Sequence, residues 1–104
     1  MVFDWDAAKN ARNIEKHGIG FATAAQIFDG PVLTAEDRRR DYGERRMNSI
    51  GRIAGLAVVV VTHTDRAGVT RIISARRASR AERGRYEQAL HTGTQPGRTG
   101  RAGG

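Results

Sequence analysis

The sequence predicts a small α+β domain: two N-terminal helices, a three- to four-stranded antiparallel sheet, and one C-terminal helix. Three observations carry this. Apolar residues recur at helical spacing before Gly30-Pro31, and β-branched runs fill the segment from about Arg45 to Ala75. Ser79, followed three residues later by Glu82, then signals a helix start. With 104 residues the chain supports one core, assigned to residues 1–91. Residues 92–104 hold five glycines, one proline and no large apolar side chain, and are expected to be a disordered tail.

In the first helix, Asp6 serves as N-cap, Ala7, Ala8, Ala11 and Ile14 follow helical spacing, and Gly18 stands at the C′ position. That places Ile14 and Ile19 as the apolar pair of a Schellman ending. Phe21, Ala24, Ala25 and Phe28 then predict a second helix to about Asp29, ended by Gly30-Pro31. Pro31 to Ala35 reads as a short edge strand, and residues 36–43 as a charged connection. Arg45 to Ile53 alternates as a strand, with Met47, Ser49 and Gly51 on one side and Ile50 on the other. Ala54-Gly55 turns it into Leu56–His63, whose unbroken Leu/Val run suits a central strand covered on both faces. Thr64 to Gly68 forms a hairpin loop, Val69 to Ala75 returns, and a helix runs from about Arg80 to His91. Gly84 inside that helix costs ~1 kcal/mol relative to alanine, so tertiary packing must support it.

Charge narrows the function. The formal net charge is +7, and it is segregated: residues 1–37 carry three basic and six acidic groups, residues 38–104 fifteen and five. A GC-rich genome explains an excess of arginine over lysine but not this asymmetry, which favours a polyanionic partner. Arg71, Arg76, Arg77, Arg80, Arg83 and Arg85 crowd the joint between the last strand and the last helix, against one acid, Glu82. Planar guanidinium donors beside a helix N-terminus suit phosphate. Arg80 and Arg85 fit an ordinary solvated helix face. Simple alternation sets Arg71 on the same sheet face as Val69, Ile73 and Ala75, where an arginine needs an anionic partner or a cleft.

No histidine pairs with another at metal-ligand spacing and cysteine is absent, so no metal site or cofactor is expected. His63, at the mouth of the hairpin with Arg66, is the first candidate for a general base. Glu44 and the Lys16-His17 pair are the alternatives, although an ordinary ion pair with Arg45 is the default reading of Glu44 and helix capping accounts for His17 better than catalysis. Glu82 is accounted for by the capping box. Tyr86 is expected to pack its ring and turn its hydroxyl towards the basic surface. Trp5 reads as a core anchor. The acidic N-terminus has no basic-then-apolar leader pattern, and the longest apolar run is too short to span a bilayer; a cytoplasmic protein is expected.

Taken together, Phe3-Asp4-Trp5-Asp6, Lys16-His17-Gly18-Ile19, Glu44-Arg45, Ile50-Gly51, Val58-Val59-Val60, and Arg71-Ile72-Ile73-Ser74-Ala75-Arg76-Arg77-Ala78 with Glu82 and Tyr86 resemble the BrnT family. These are toxins of type II toxin–antitoxin systems with a RelE-like ribonuclease fold, and the likeness covers roughly residues 3–87. It departs at Gly20, where a better helix cap is usual, and in the arginine-rich 36–43 segment. The resemblance implies RNA cleavage that inhibits translation, and a cognate BrnA-like antitoxin, with a homodimer possible within that complex.

For metal-independent attack by the RNA 2′-hydroxyl, Arg71 and Arg76 would stabilise charge on phosphorus, and Arg66 or Arg77 would hold a flanking phosphate. Lys16, His17, Arg80 and Tyr86 complete the expected RNA-binding set, with His63 or Glu44 as base. Two other readings fit the same arginines: a nucleic-acid-binding module without catalysis, and an interaction protein whose basic face holds an acidic partner.

Overall fold

The computed structural model describes residues 1–39, 43–54 and 57–92. The expected turn at Gly55, the start of a strand at Leu56 and the proposed tail from Gly93 onward lie outside them. Strand β1 (Val2–Trp5) is followed by α1 (Ala7–His17), α2 (Phe21–Ala24), a 3-10 turn (Ala25–Asp29), β2 (Leu33–Asp37), β3 (Arg46–Ile53), β4 (Ala57–Arg66), β5 (Val69–Arg77) and α3 (Arg80–His91). The strands form one sheet in the order β1-β5-β4-β3-β2. The α+β class is as predicted, but the sheet has five strands and is mixed, because β1 pairs parallel to β5.

β1 was not foreseen because four residues carrying an aspartate give little strand signal. The cue was its alternation: Phe3 and Trp5 turn inward, while Asp4 points to the opposite face in register with Arg71. Phe3 packs on Phe28 at 5.6 Å between ring centroids, and Trp5 meets Phe21 edge-on at 6.2 Å. Trp5 is a core anchor, as expected.

One face of the sheet is buried under α1, α2 and the 3-10 turn. Its core gathers Ile19, Phe21, Ala24, Ile27, Val59, Val61, Ile72 and Ala75. Gly51 permits this contact, since a β-carbon there would lie 2.6 Å from Ile27 Cβ. The other face is covered only in part: α3 sets Tyr86 and Leu90, with Ala78 just ahead of the helix, over Ile50, Val58, Val60 and Leu33. Val58 to Val61 are all buried, as an apolar run covered on both faces requires.

Helix α1 begins and ends as read, with Asp6 accepting from Lys9 N at 2.9 Å and Gly18 left-handed at φ 73°. Its apolar stripe, however, faces outward: Ala7, Ala8, Ala11 and Ile14 are exposed, and the inward residues are Asn10 and Asn13. Ile14 lies beside Gly20, and Ile19 belongs to the core. The helix is docked by amides. Asn13 Nδ2 donates to the carbonyls of Ile19 and Ala75 at 2.8 Å each, and its Oδ1 accepts from Ala75 N at 3.1 Å. Asn10 Oδ1 accepts from Phe21 N at 2.8 Å. Alanines contribute little area to burial, so four side-chain hydrogen bonds to backbone groups outweigh them in orienting the helix.

The second helix is shorter than its periodicity suggested. After Ala24 the chain tightens to a 3-10 turn that buries Ile27, and Gly20 caps it without a side-chain hydrogen bond. Glu36 and Asp37 belong to β2 rather than to a connection. The hairpin is also tighter than expected: β4 runs on to Arg66, and the turn is Ala67-Gly68, both at positive φ (50° and 81°). Two consecutive left-handed residues match the right-handed twist of the flanking strands.

Candidate functional site

The half of the sheet that α3 leaves uncovered is polar, and the strand register orders it in rows. Asp4, Arg71, Thr64 and Arg46 share a face with Asp37; Ser74, Thr62 and Asn48 form the next row; Arg76 lies opposite Val60 at the border with α3. Arg71 therefore does not share a face with Ala75. An irregularity in the β4–β5 ladder between Thr62 and His63 pairs His63 with Ile72 and Thr62 with Ser74, leaving Ile73 as the extra residue. This bulge inverts the alternation, sending Ala75 to the core and leaving Arg71 and Arg76 together on the open face.

At the hairpin end, Asp4, Glu44, Thr64, Arg66, Ala67, Val69 and Arg71 line a cleft of about 510 Å³. Three residues singled out from sequence, Glu44, Arg66 and Arg71, thus come together there, and Asp4 joins them. Arg71 Nη1 donates to Asp4 Oδ2 at 2.5 Å, and both side chains are about half exposed (48% and 52%). Glu44 also lies 3.7 Å from Arg46 Nε.

Arg76 stands two rows away, roughly 13 Å along the strand. Its guanidinium grips Glu82 with two bonds, Nη1 to Oε1 at 2.7 Å and Nη2 to Oε2 at 2.9 Å. Glu82 Oε1 also accepts from Ser79 N at 2.8 Å, and Ser79 Oγ accepts from Glu82 N at 3.1 Å, which completes the predicted capping box. One carboxylate thus joins the start of α3 to an arginine of the sheet. The bond from Arg76 holds the Glu82 carboxyl at about 2, below its ordinary 4.5, and the same bond raises the Arg76 pKa. A depressed folded pKa means that this contribution to stability is complete above pH 4.5 and is lost as pH falls towards about 2. Thermal melts of wild type and Glu82→Gln should therefore differ most near neutrality and converge across that window. A constant difference down to pH 2 would contradict the coupling.

The other residues are elsewhere. His63 lies on the helix-covered face, 2% exposed, edge-on to Phe28 with ring centroids 5.3 Å apart. Its Nδ1 lies 2.9 Å from Asp65 Oδ1 and its Nε2 2.8 Å from Ser49 Oγ, which is 2.7 Å from Thr34 Oγ1. The carboxylate can only accept, so Nδ1 carries a proton, and neither ring nitrogen is open to a substrate. Lys16 and His17 end α1 on that same helix-covered side. Arg77, opposite Val59, leaves the sheet on the face away from Arg71. Arg80 is exposed in the first turn of α3. Tyr86 is 2% exposed; its hydroxyl donates to the Pro31 carbonyl at 2.9 Å rather than reaching the basic surface, and burial raises its pKa.

Sequence reasoning missed Asp4, because it missed β1. It also missed the row of Asn48, Thr62 and Ser74, where Thr62 Oγ1 donates to Asn48 Oδ1 at 2.6 Å. Only strand register could reveal that row. Among the described residues no three His, Cys, Asp or Glu side chains gather as metal ligands, and no helix is long and apolar enough to cross a membrane.

A sheet buried on one side and half covered on the other, with arginines set against carboxylates on its open part, defines a small basic α+β protein. Residues 5–82 match the family described as the ribonuclease toxin, BrnT, of type II toxin–antitoxin systems, and the chain belongs to that family. Among solved structures it is similar to the Brucella abortus ribonuclease toxin BrnT, with 25% identity and a TM-score of 0.61 over 77% of this chain and 100% of that one. A search of curated proteins found no match. Membership implies an RNA substrate and an antitoxin partner.

Proposed function

We propose that the protein is a metal-independent endoribonuclease that inhibits translation, in the RelE-like manner, and cuts RNA on the open face of its sheet. The observation that carries this reading is the hairpin-end cleft, where Arg71 and Arg66 stand beside the carboxylates of Asp4 and Glu44. RNA supplies its own nucleophile, so the protein must hold the phosphate, remove the 2′-proton and neutralise the developing phosphorane. Arg71 faces the reacting phosphate, and Arg66 a neighbouring one. Arg76, at the far end of the open face, takes a flanking phosphate, with Arg80 beyond it. Arginine cannot give up its proton at neutral pH, so a carboxylate of the cleft is the base, and Glu44 is one of the two available.

His63 serves this site indirectly, by tying β4 to β3 through Ser49 and steadying Asp65 at the hairpin end. A BrnA-like antitoxin would neutralise the toxin by covering this face, in a complex that includes a toxin homodimer, and the translation target makes the protein cytoplasmic.

The test is incubation of purified protein with end-labelled RNA in EDTA. The expected products are 2′,3′-cyclic phosphate and 5′-hydroxyl ends. Failure to cut either free RNA or the RNA of translating ribosomes would overturn the enzymatic reading in favour of a binding module.

A further inference from the structure

We infer that Asp4 is the general base of the cleft. This inference rests on the proposed RNA cleavage and names the proton acceptor within it. Proximity carries the argument. The 2′-oxygen that loses its proton attacks the adjacent phosphorus of the same nucleotide from about 3–3.5 Å. The base and the cation that meets the phosphoryl oxygen must therefore be near neighbours. Among the described residues, Asp4 is the one carboxylate of the cleft bonded directly to Arg71, at 2.5 Å. Glu44, by contrast, has its ion-pair contact with Arg46 at 3.7 Å.

The arrangement is fixed from below. Asp4 and Arg71 are register partners of the parallel β1–β5 pair, and the flanking Phe3 and Trp5 pack into the core on the other face. The bond to Arg71 engages Oδ2, and no hydrogen bond engages Oδ1 among the described residues, so that oxygen can meet a 2′-hydroxyl. On Arg71, among the described residues, only Nη1 is engaged, which leaves the remaining donors of the guanidinium for phosphoryl oxygens.

In the step so defined, the 2′-O–H bond breaks and its proton passes to Asp4 Oδ1. The 2′-oxygen bonds to phosphorus and the P–O5′ bond breaks. The departing 5′-oxygen takes a proton from water, Asp4 later returns its own to solvent, and no other reactant is consumed.

Asp4→Ala, Asp4→Asn and Glu44→Gln, each checked for folding by circular dichroism, separate a base from a partner that merely steadies Arg71. Asparagine keeps a hydrogen-bond acceptor for Arg71 but is not a base. Both Asp4 variants should lose about 10²- to 10⁴-fold in kcat with little change in KM. Imidazole, a neutral base that forms no ion pair with arginine, should restore cutting by Asp4→Ala. Near-normal cutting by Asp4→Asn, or rescue by formate but not by imidazole, would reduce Asp4 to a positioning residue. A comparable loss in Glu44→Gln alone would move the base to Glu44. If wild type cuts nothing, the failure is of the ribonuclease reading itself and takes this inference with it.

Discussion

Arg71→Ala should lower kcat for RNA cleavage by about 10²- to 10³-fold, the loss typical when one donor to a developing oxyanion is removed. The fold should survive, because the Arg71–Asp4 pair is half exposed and such pairs are worth at most about 1 kcal/mol. Arg71→Lys keeps the charge but not the planar fork, so it should fall between wild type and alanine. Arg76→Ala should behave differently. Its side chain sits two rows away and is held by Glu82, so its loss should weaken RNA binding and flatten the salt dependence, with a smaller effect on kcat. Single-turnover kinetics at saturating and limiting protein separates the two. Equal kcat losses for both variants would mean that the arginines converge on one phosphorus.

Asn13→Ala should be the most destabilising single change on α1. It removes three hydrogen bonds at once and leaves the Ala75 N–H and two carbonyls without their partner beneath the helix. At about 1–3 kcal/mol per buried group left unsatisfied, the loss should reach about 3 kcal/mol or more, a large part of the stability of a domain this size. The melting temperature should drop by roughly 12 °C or more. Exposed Ile14→Ala, on the stripe that sequence periodicity would bury, should cost far less. Chemical denaturation of the two variants gives the comparison. A larger loss at Ile14 would mean that α1 packs through its apolar stripe after all.

These two residues mark where the sequence was legible and where it was not. Signals that act within a few residues were readable: the Asp6 and Ser79 caps and the Gly18 stop appear as read, and the β-branched runs form strands, with β4 and β5 running further than read. What depended on partners distant in sequence was not. The burial of Asn13 follows from Ala75, 62 residues away, and the face of Arg71 from a bulge against β4. The choice of His63 as base failed to reach the cleft for the same reason. Its position beside the hairpin was right, but strand alternation turned its ring under the sheet towards Phe28. Arg66 and Arg71 could be grouped from sequence because a hairpin joins them, whereas Asp4 reaches Arg71 only through a parallel pairing that spans most of the chain.

The proposed ribonuclease activity requires RNA to lie on the open face of the sheet, over the Asp4–Arg71 cleft. The most direct test of that placement is an NMR titration of ¹⁵N-labelled protein with a non-cleavable 2′-O-methyl RNA oligonucleotide, following backbone amides and arginine Nε–H signals. The expected perturbations centre on Asp4, Thr64, Arg66, Arg71, Ser74 and Arg76, with Lys16, His17 and Arg77 nearly unchanged. A shift pattern centred on Lys16, His17 and Arg77 would place RNA against the other side of the sheet and rule out the Asp4–Arg71 cleft as its site.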